Sequence, residues 1–198
     1  MHRQLLFVLL LFFITGQGIA DGFEITSFTG YRFGGSLEEQ DTDNIRDFEE
    51  GSDWGVMFGH TANETTRYEL LYSYQDSGLA DRTDPDNAFD LEIHYLHLGG
   101  TVDVSQERWT PFVSGGLGMT HMSPDRYGLD NETLFSLSLG GGLKWYPTSR
   151  LGFRFEVRGY GALTESSGNM FCDSGCDLQV NGTFLPQYET NLGLIFRF

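Results

Sequence analysis

The stretch Tyr188-Glu-Thr-Asn-Leu-Gly-Leu-Ile-Phe-Arg-Phe198 decides the fold. Side chains of an extended strand point alternately to opposite faces. Tyr188, Thr190, Leu192, Leu194, Phe196 and Phe198 therefore share one face, and Glu189, Asn191, Gly193 and Arg197 share the other. The first face is apolar and aromatic; the second is polar or small. A soluble domain would rarely expose such an aromatic end. A barrel strand in a lipid bilayer turns that face to the acyl chains.

The same alternation recurs upstream. It predicts strands over 23–37, 54–61, 66–75, 89–104, 111–122, 133–146 and 151–163, with the C-terminal stretch as the eighth. Segment 133–146 shows it most plainly: Phe135, Leu137, Leu139, Leu143 and Trp145 oppose Ser136, Ser138, Gly140, Gly142 and Lys144. In 89–104, Phe89, Leu91, Ile93 and Tyr95 form the apolar face, against Asp90, Glu92 and His94. From Leu96 onward that phase is ambiguous, and a bulge near Gly99-Gly100 would shift it. The connections alternate long and short along the chain, beginning with the acidic loop 38–53 and the tight turn 62–65. Membrane barrels combine short turns at one end with longer loops at the other. A secreted β-sandwich has no reason for that strict alternation. The expected fold is all-β: an eight-stranded, antiparallel, up-and-down transmembrane β-barrel.

Composition agrees. The 198 residues include 26 Gly and are 15% aromatic, suited to tightly curved strands and interfacial girdles. His2 and Arg3 precede an apolar run from Leu5 to Ile14 and a small-x-small site, Gly18-Ile19-Ala20. This reads as a cleaved secretory signal peptide over 1–20, followed by one barrel domain over 21–198. Beyond it, no apolar run approaches the ~20 residues of a spanning helix. The net charge of −16 speaks against nucleic acid as a partner.

With the aromatic faces outward, the charged faces point into the barrel. The expected interior network comprises Glu24, Arg32, Glu69, Glu92, Lys144, Arg154, Glu156, Arg158, Glu189 and Arg197, with His94 beside it. An eight-stranded barrel is just wide enough for side chains to fill it. Buried charges are costly unless paired. A closed polar core is therefore expected, with a narrow path for small or hydrophobic solutes as the alternative.

Several motifs lie in the loops. Cys172 and Cys176 fall in the last one, and export favours a disulfide between them. Neither their spacing nor a nearby His suggests a metal, and no cofactor motif is found. Acids cluster at Glu38, Glu39, Asp41, Asp43, Asp47, Glu49, Glu50 and Asp53, and again at Asp81, Asp84 and Asp86. A solvated surface is the expectation, and bridging of divalent ions to lipopolysaccharide the sharper alternative. Asn63, Asn131 and Asn181 head N-x-[ST] sequons, which would suggest glycans in a eukaryotic secreted protein and mean nothing if the barrel is a bacterial one.

Pro111-Phe-Val-Ser-Gly-Gly-Leu-Gly118, Ser138-Leu-Gly-Gly-Gly-Leu-Lys144, Leu151-Gly-Phe-Arg-Phe-Glu-Val-Arg158, the Cys172 and Cys176 pair and Leu192-Gly-Leu-Ile-Phe-Arg-Phe198 carry a resemblance. With them, essentially the whole mature chain resembles the OmpA/OmpW-like outer-membrane β-barrel proteins of Gram-negative bacteria. The resemblance implies a monomer in the bacterial outer membrane, in contact with its lipid and with lipopolysaccharide. It implies insertion by the barrel-assembly machinery, with Phe196 and Phe198 in the terminal signal. The group mixes structural proteins, adhesins and small-solute channels, and the expectation for this chain is a structural or surface-interaction role, with no enzyme activity. Some such barrels are lipid A deacylases with a His-x-Ser pair on the rim, which His121-Met-Ser123 matches. Glu132 stands downstream as an orienting acid, but Pro124 replaces the Asn that follows the serine in those enzymes.

Overall fold

The computed structural model describes residues 22–38, 45–81, 88–105, 107–163 and 184–198. The expected signal peptide, Cys172 and Cys176, and part of each acidic loop lie outside them. Among the described residues are ten strands: β1 (Phe23–Phe33), β2 (Ser36–Glu38), β3 (Ile45–Phe48), β4 (Gly51–Thr61), β5 (Thr66–Asp81), β6 (Phe89–Asp103), β7 (Trp109–Pro124), β8 (Glu132–Trp145), β9 (Leu151–Leu163) and β10 (Phe184–Arg197).

Eight of them, β1 and β4 to β10, form an antiparallel meander in chain order, β5 pairing β6 within it, which β1 closes on β10. Facing residues run from Phe33 through Tyr188, Gly159, Leu139, Gly115, Gly100, Tyr68 and His60 to Phe23. One circuit of the wall thus returns to β1 ten residues from where it left. Closure with such a stagger goes with a strand tilt of roughly 35–45°. Closure also leaves these eight strands without a free edge. Both ends of the described chain meet at the short-turn end, where the Phe198 amide donates to the Phe23 carbonyl at 3.1 Å.

At the opposite, long-loop end the strands run further than the sequence pattern suggests. β4 begins at Gly51, because Gly51 still faces Arg32 of β1. β5 continues to Asp81, because Leu79 still faces Phe89 of β6. Asp and Gly there read as loop residues, yet ladder pairing with a neighbour overrides weak strand propensity. Part of the expected loop 38–53 is also ordered: β2 and β3 pair, and β3 adds to the upper part of β5. The chain enters this hairpin through Gly34 (φ 84°) and Gly35 (φ 95°), left-handed values that favour glycine.

Outward faces carry large apolar residues in the open, among them Leu139 (71% exposed), Leu98 (68%) and Leu192 (60%). Two aromatic belts bound this band. At the short-turn end Trp109 stacks on Trp145 and Trp145 on Phe153, with Phe23 against His60. At the long-loop end Phe33 stacks on Tyr188, and Trp54 contacts Tyr72 and Tyr74. Phe28 is the exception on β1, buried inside with its ring over Gly55, where a Cβ would stand 2.3 Å from it.

Candidate functional site

The inward faces bring charge together. Three layers stack along the barrel axis. Nearest the short turns, Glu24 faces Arg67 (3.4 Å) and Arg197 (3.3 Å), and Asp103 holds Arg67 and Lys144, the latter at 3.1 Å. In the middle, Arg154 grips Glu69 with two guanidinium nitrogens at 2.7 and 3.2 Å, and reaches Glu156 at 3.0 Å. Arg158 takes the other oxygen of Glu156 at 2.8 Å, and Ser114 donates to the same atom. In the third layer Arg32 pairs with Glu189 and donates to Ser73 at 2.5 Å. Its guanidinium lies over the rings of Tyr95 and Tyr160, 4.6 and 5.0 Å from their centroids. Tyr160 donates to Glu189 at 3.2 Å and Tyr95 to Gln187 at 2.5 Å.

The strand pattern explains this order. Arg154, Glu156 and Arg158 alternate inward along β9, and Glu69 reaches them from across the barrel, on β5. Arg32, Lys144, Arg154, Glu156 and Glu189 have no measurable exposure. His97 fills the space between the middle and third layers, its ring nitrogens 2.7 Å from Ser136 and 2.9 Å from Ser138. Paired charge and hydroxyls thus occupy the bore, which such side chains can fill. Among the described residues, no group of three or more His, Cys, Asp or Glu side chains is placed to hold a metal ion.

Nine of the ten residues expected inside are there: Glu24, Arg32, Glu69, Lys144, Arg154, Glu156, Arg158, Glu189 and Arg197. Lys144 binds Asp103, Arg197 binds Glu24, and Glu189 is taken by Arg32.

Glu92 is a correction. It points outward with its side chain 55% exposed, 3.7 Å from His94, which also points out. The face of β6 expected to meet lipid is instead inside: Phe89, Leu91, Ile93 and Tyr95 are buried. No bulge resets the phase, since β6 pairs without interruption with β5 and β7. The cause is height. Residues 89–93 stand beyond the upper aromatic belt, with His94 against Tyr72 and Tyr74 of the belt itself, and there the exterior is polar and the interior holds an apolar cluster. The cluster comprises Phe28, Phe48, Met57, Leu71, Leu79, Phe89, Leu91, Ile93, Tyr95, Met122, Tyr160, Ala162 and Leu185, and it reaches down past the belt at Phe28, Met57 and Leu71.

Three charged residues of the interior escaped the sequence reading. Asp53 stands in a stretch that reads as loop, Asp103 where the phase of β6 is ambiguous, and Arg67 at the start of a strand. An even offset along the strand links each to an inward neighbour: Asp53 to Met57, Arg67 to Glu69, Asp103 to Thr101.

At the rim, His121 and Ser123 both project from the outer face of β7. They bond to different side chains. Ser123 donates to the Asn131 side chain at 2.8 Å, and His121 Nδ1 lies 2.8 Å from the Thr133 hydroxyl. A serine nucleophile needs its base within hydrogen-bond reach, and here its proton is directed at an amide oxygen.

No family model matches the chain, and no curated protein matches it in sequence. Solved structures do resemble it. The crystal structure of Neisserial surface protein A (NspA) is 14% identical, covers 91% of this chain and 100% of its own, and superposes with a TM-score of 0.62. The outer-membrane protein OprG from Pseudomonas aeruginosa is 13% identical, with coverages of 91% and 99% and a TM-score of 0.64. The outer-membrane protein AlkL, solved in lipid bilayers, is 13% identical, covers 93% of each chain and gives a TM-score of 0.58. The likeness is one of fold: this chain has the eight-stranded barrel architecture of outer-membrane proteins.

Proposed function

We propose that the chain is an integral protein of the bacterial outer membrane, with a structural or surface-interaction role and a closed polar interior. The observation that carries this reading is the inversion of the wall: leucines and aromatics lie open on the outside while arginines and glutamates are sealed within. In water such a surface would aggregate, because monomeric soluble proteins rarely expose contiguous apolar patches of more than a few hundred Å². In a bilayer the same surface is at its energetic optimum. The paired interior supports a structural barrel over a solute path, since ion entry would require breaking buried ion pairs. Partner recognition then falls to the extracellular loops, with lipid, lipopolysaccharide and, during insertion, the assembly machinery as contacts of the barrel.

Two measurements test the reading together. Fractionated cells should hold the protein in the outer membrane, migrating faster on a gel before boiling than after. Purified barrel in planar bilayers should give no steady single-channel steps. A folded, detergent-free monomer in plain buffer would overturn the membrane assignment, and regular conductance steps would overturn the closed interior. Lipid A incubated with the wild type and with Ser123→Ala should be deacylated by neither.

A further inference from the structure

Two histidines stand side by side on the outside of the wall, level with the upper aromatic belt. His94 of β6 and His121 of β7 face each other directly in the ladder, and both point outward. Opposed residues on one face of an antiparallel pair have Cβ atoms about 4.5–5.5 Å apart. The two ring centroids are 6.1 Å apart, with 45° between the ring planes.

Each ring is held from its far side. His94 Nδ1 is 3.0 Å from the hydroxyl of Tyr72 on β5, and His121 Nδ1 is 2.8 Å from the hydroxyl of Thr133 on β8. Strands β5 and β8 flank the β6–β7 pair on opposite sides. The two Nδ1 atoms are therefore turned away from each other, and the opposite ring edges, which carry Nε2, are turned toward the gap between them. The Glu92 carboxylate, two residues along the same face of β6, lies 3.7 Å from His94 Nε2. An aromatic belt alone requires neither two imidazoles in direct opposition nor a hydroxyl on the far side of each.

We propose that His94 and His121 together bind a divalent transition-metal ion of the zinc type through their Nε2 atoms. Zinc takes imidazole nitrogens at ~2.0–2.1 Å in tetrahedral geometry, which puts the centroids of two rings on one ion about 5 Å apart. A small rotation of the two side chains closes the difference from 6.1 Å. Metal-bound histidines donate their other ring N–H to an oxygen that fixes tautomer and orientation. The hydroxyls of Tyr72 and Thr133 are placed to accept those two N–H groups. Glu92 adds negative charge beside the ion. Imidazole suits zinc, copper and nickel, whereas magnesium and calcium prefer oxygen. Among the described residues no three His, Cys, Asp or Glu side chains converge on one ion. The site thus has two protein ligands and leaves the remaining positions of the ion to water.

The test uses the folded barrel in detergent. Crystals of the wild type soaked in zinc chloride should show an anomalous peak within bonding distance of both Nε2 atoms. In solution, calorimetric titration with zinc chloride should show binding by the wild type. Either His94→Gln or His121→Gln should weaken it by more than about 100-fold, since even the loss of a supporting hydrogen bond costs about 10–100-fold in metal affinity. Magnesium chloride should not distinguish the wild type from the two variants. Absence of the peak overturns the proposal and leaves the two rings as members of the belt. Equal zinc affinity in all three proteins also overturns it, by assigning the ion to the acidic loops. So does a loss confined to one of the two variants. Should a variant fail to fold, the peak in the wild type decides alone.

Discussion

The two halves of this barrel are built on opposite rules. Between the aromatic belts, the outside is apolar and the inside holds the charged layers, with Phe28, Met57 and Leu71 packed against them. Beyond the upper belt, Leu79, Leu91, Ile93 and Met122 are sealed inside while Asp76, Asp90 and Glu92 are on the outside. Strand β6 crosses the boundary without changing register. Its outward residues go from Leu98 and Leu96 to His94, Glu92 and Asp90, while its inward ones go from Asp103, Thr101 and His97 to Tyr95, Ile93 and Leu91. On the proposed membrane reading only the surroundings change: hydrocarbon below, water above. Each half places apolar groups away from water by the means its solvent allows. The apolar cluster also stands over the charged layers at the mouth, where Phe48 of β3 joins it.

The comparison can be broken most severely in the charged half. Arg154→Ala deprives Glu69 of its bidentate partner and should cost about 3–5 kcal/mol, because a lone buried charge remains. Urea unfolding in lipid vesicles, followed by tryptophan fluorescence, measures this. Replacing Glu69 and Arg154 together by Met should cost less than the single change. In the other half, Leu91→Ala should cost about 2–5 kcal/mol by leaving a cavity. A smaller loss there than on a bilayer-level outward leucine would mean that the cluster is not a true core. The outer face offers the sharpest contrast, on one strand. Leu98→Arg should destabilise the barrel by about 2–4 kcal/mol in a bilayer, where a cation meets hydrocarbon. Glu92→Arg, on the same face above the belt, should change stability by no more than about 0.5 kcal/mol. Equal effects of the two would place the membrane boundary elsewhere.

Much of this was legible in advance. Strand number, meander order and the alternation of long and short connections follow from period-two patterning and the placing of turn residues. Lys144 and Arg154 declared themselves because their neighbours on the same strand were leucine and phenylalanine. Glu92 misled for the same reason: Asp90, Glu92 and His94 look like an interior face when the whole strand is taken to lie in lipid. Asp53 was lost in an acidic stretch whose strand character depends on pairing with β1.

The sequence by itself determined that this chain closes into a barrel whose strands alternate between a lipid-like and a polar face, because a two-residue period needs no knowledge of distant partners. The tertiary structure alone decided where the bilayer-like band stops, which acid meets which base, and that Asp53 meets none. Those outcomes depend on stagger and closure, which bring β5 opposite β9 and Asp53 beside Arg32. No local pattern encodes the relative height of residues on strands so far apart in the chain.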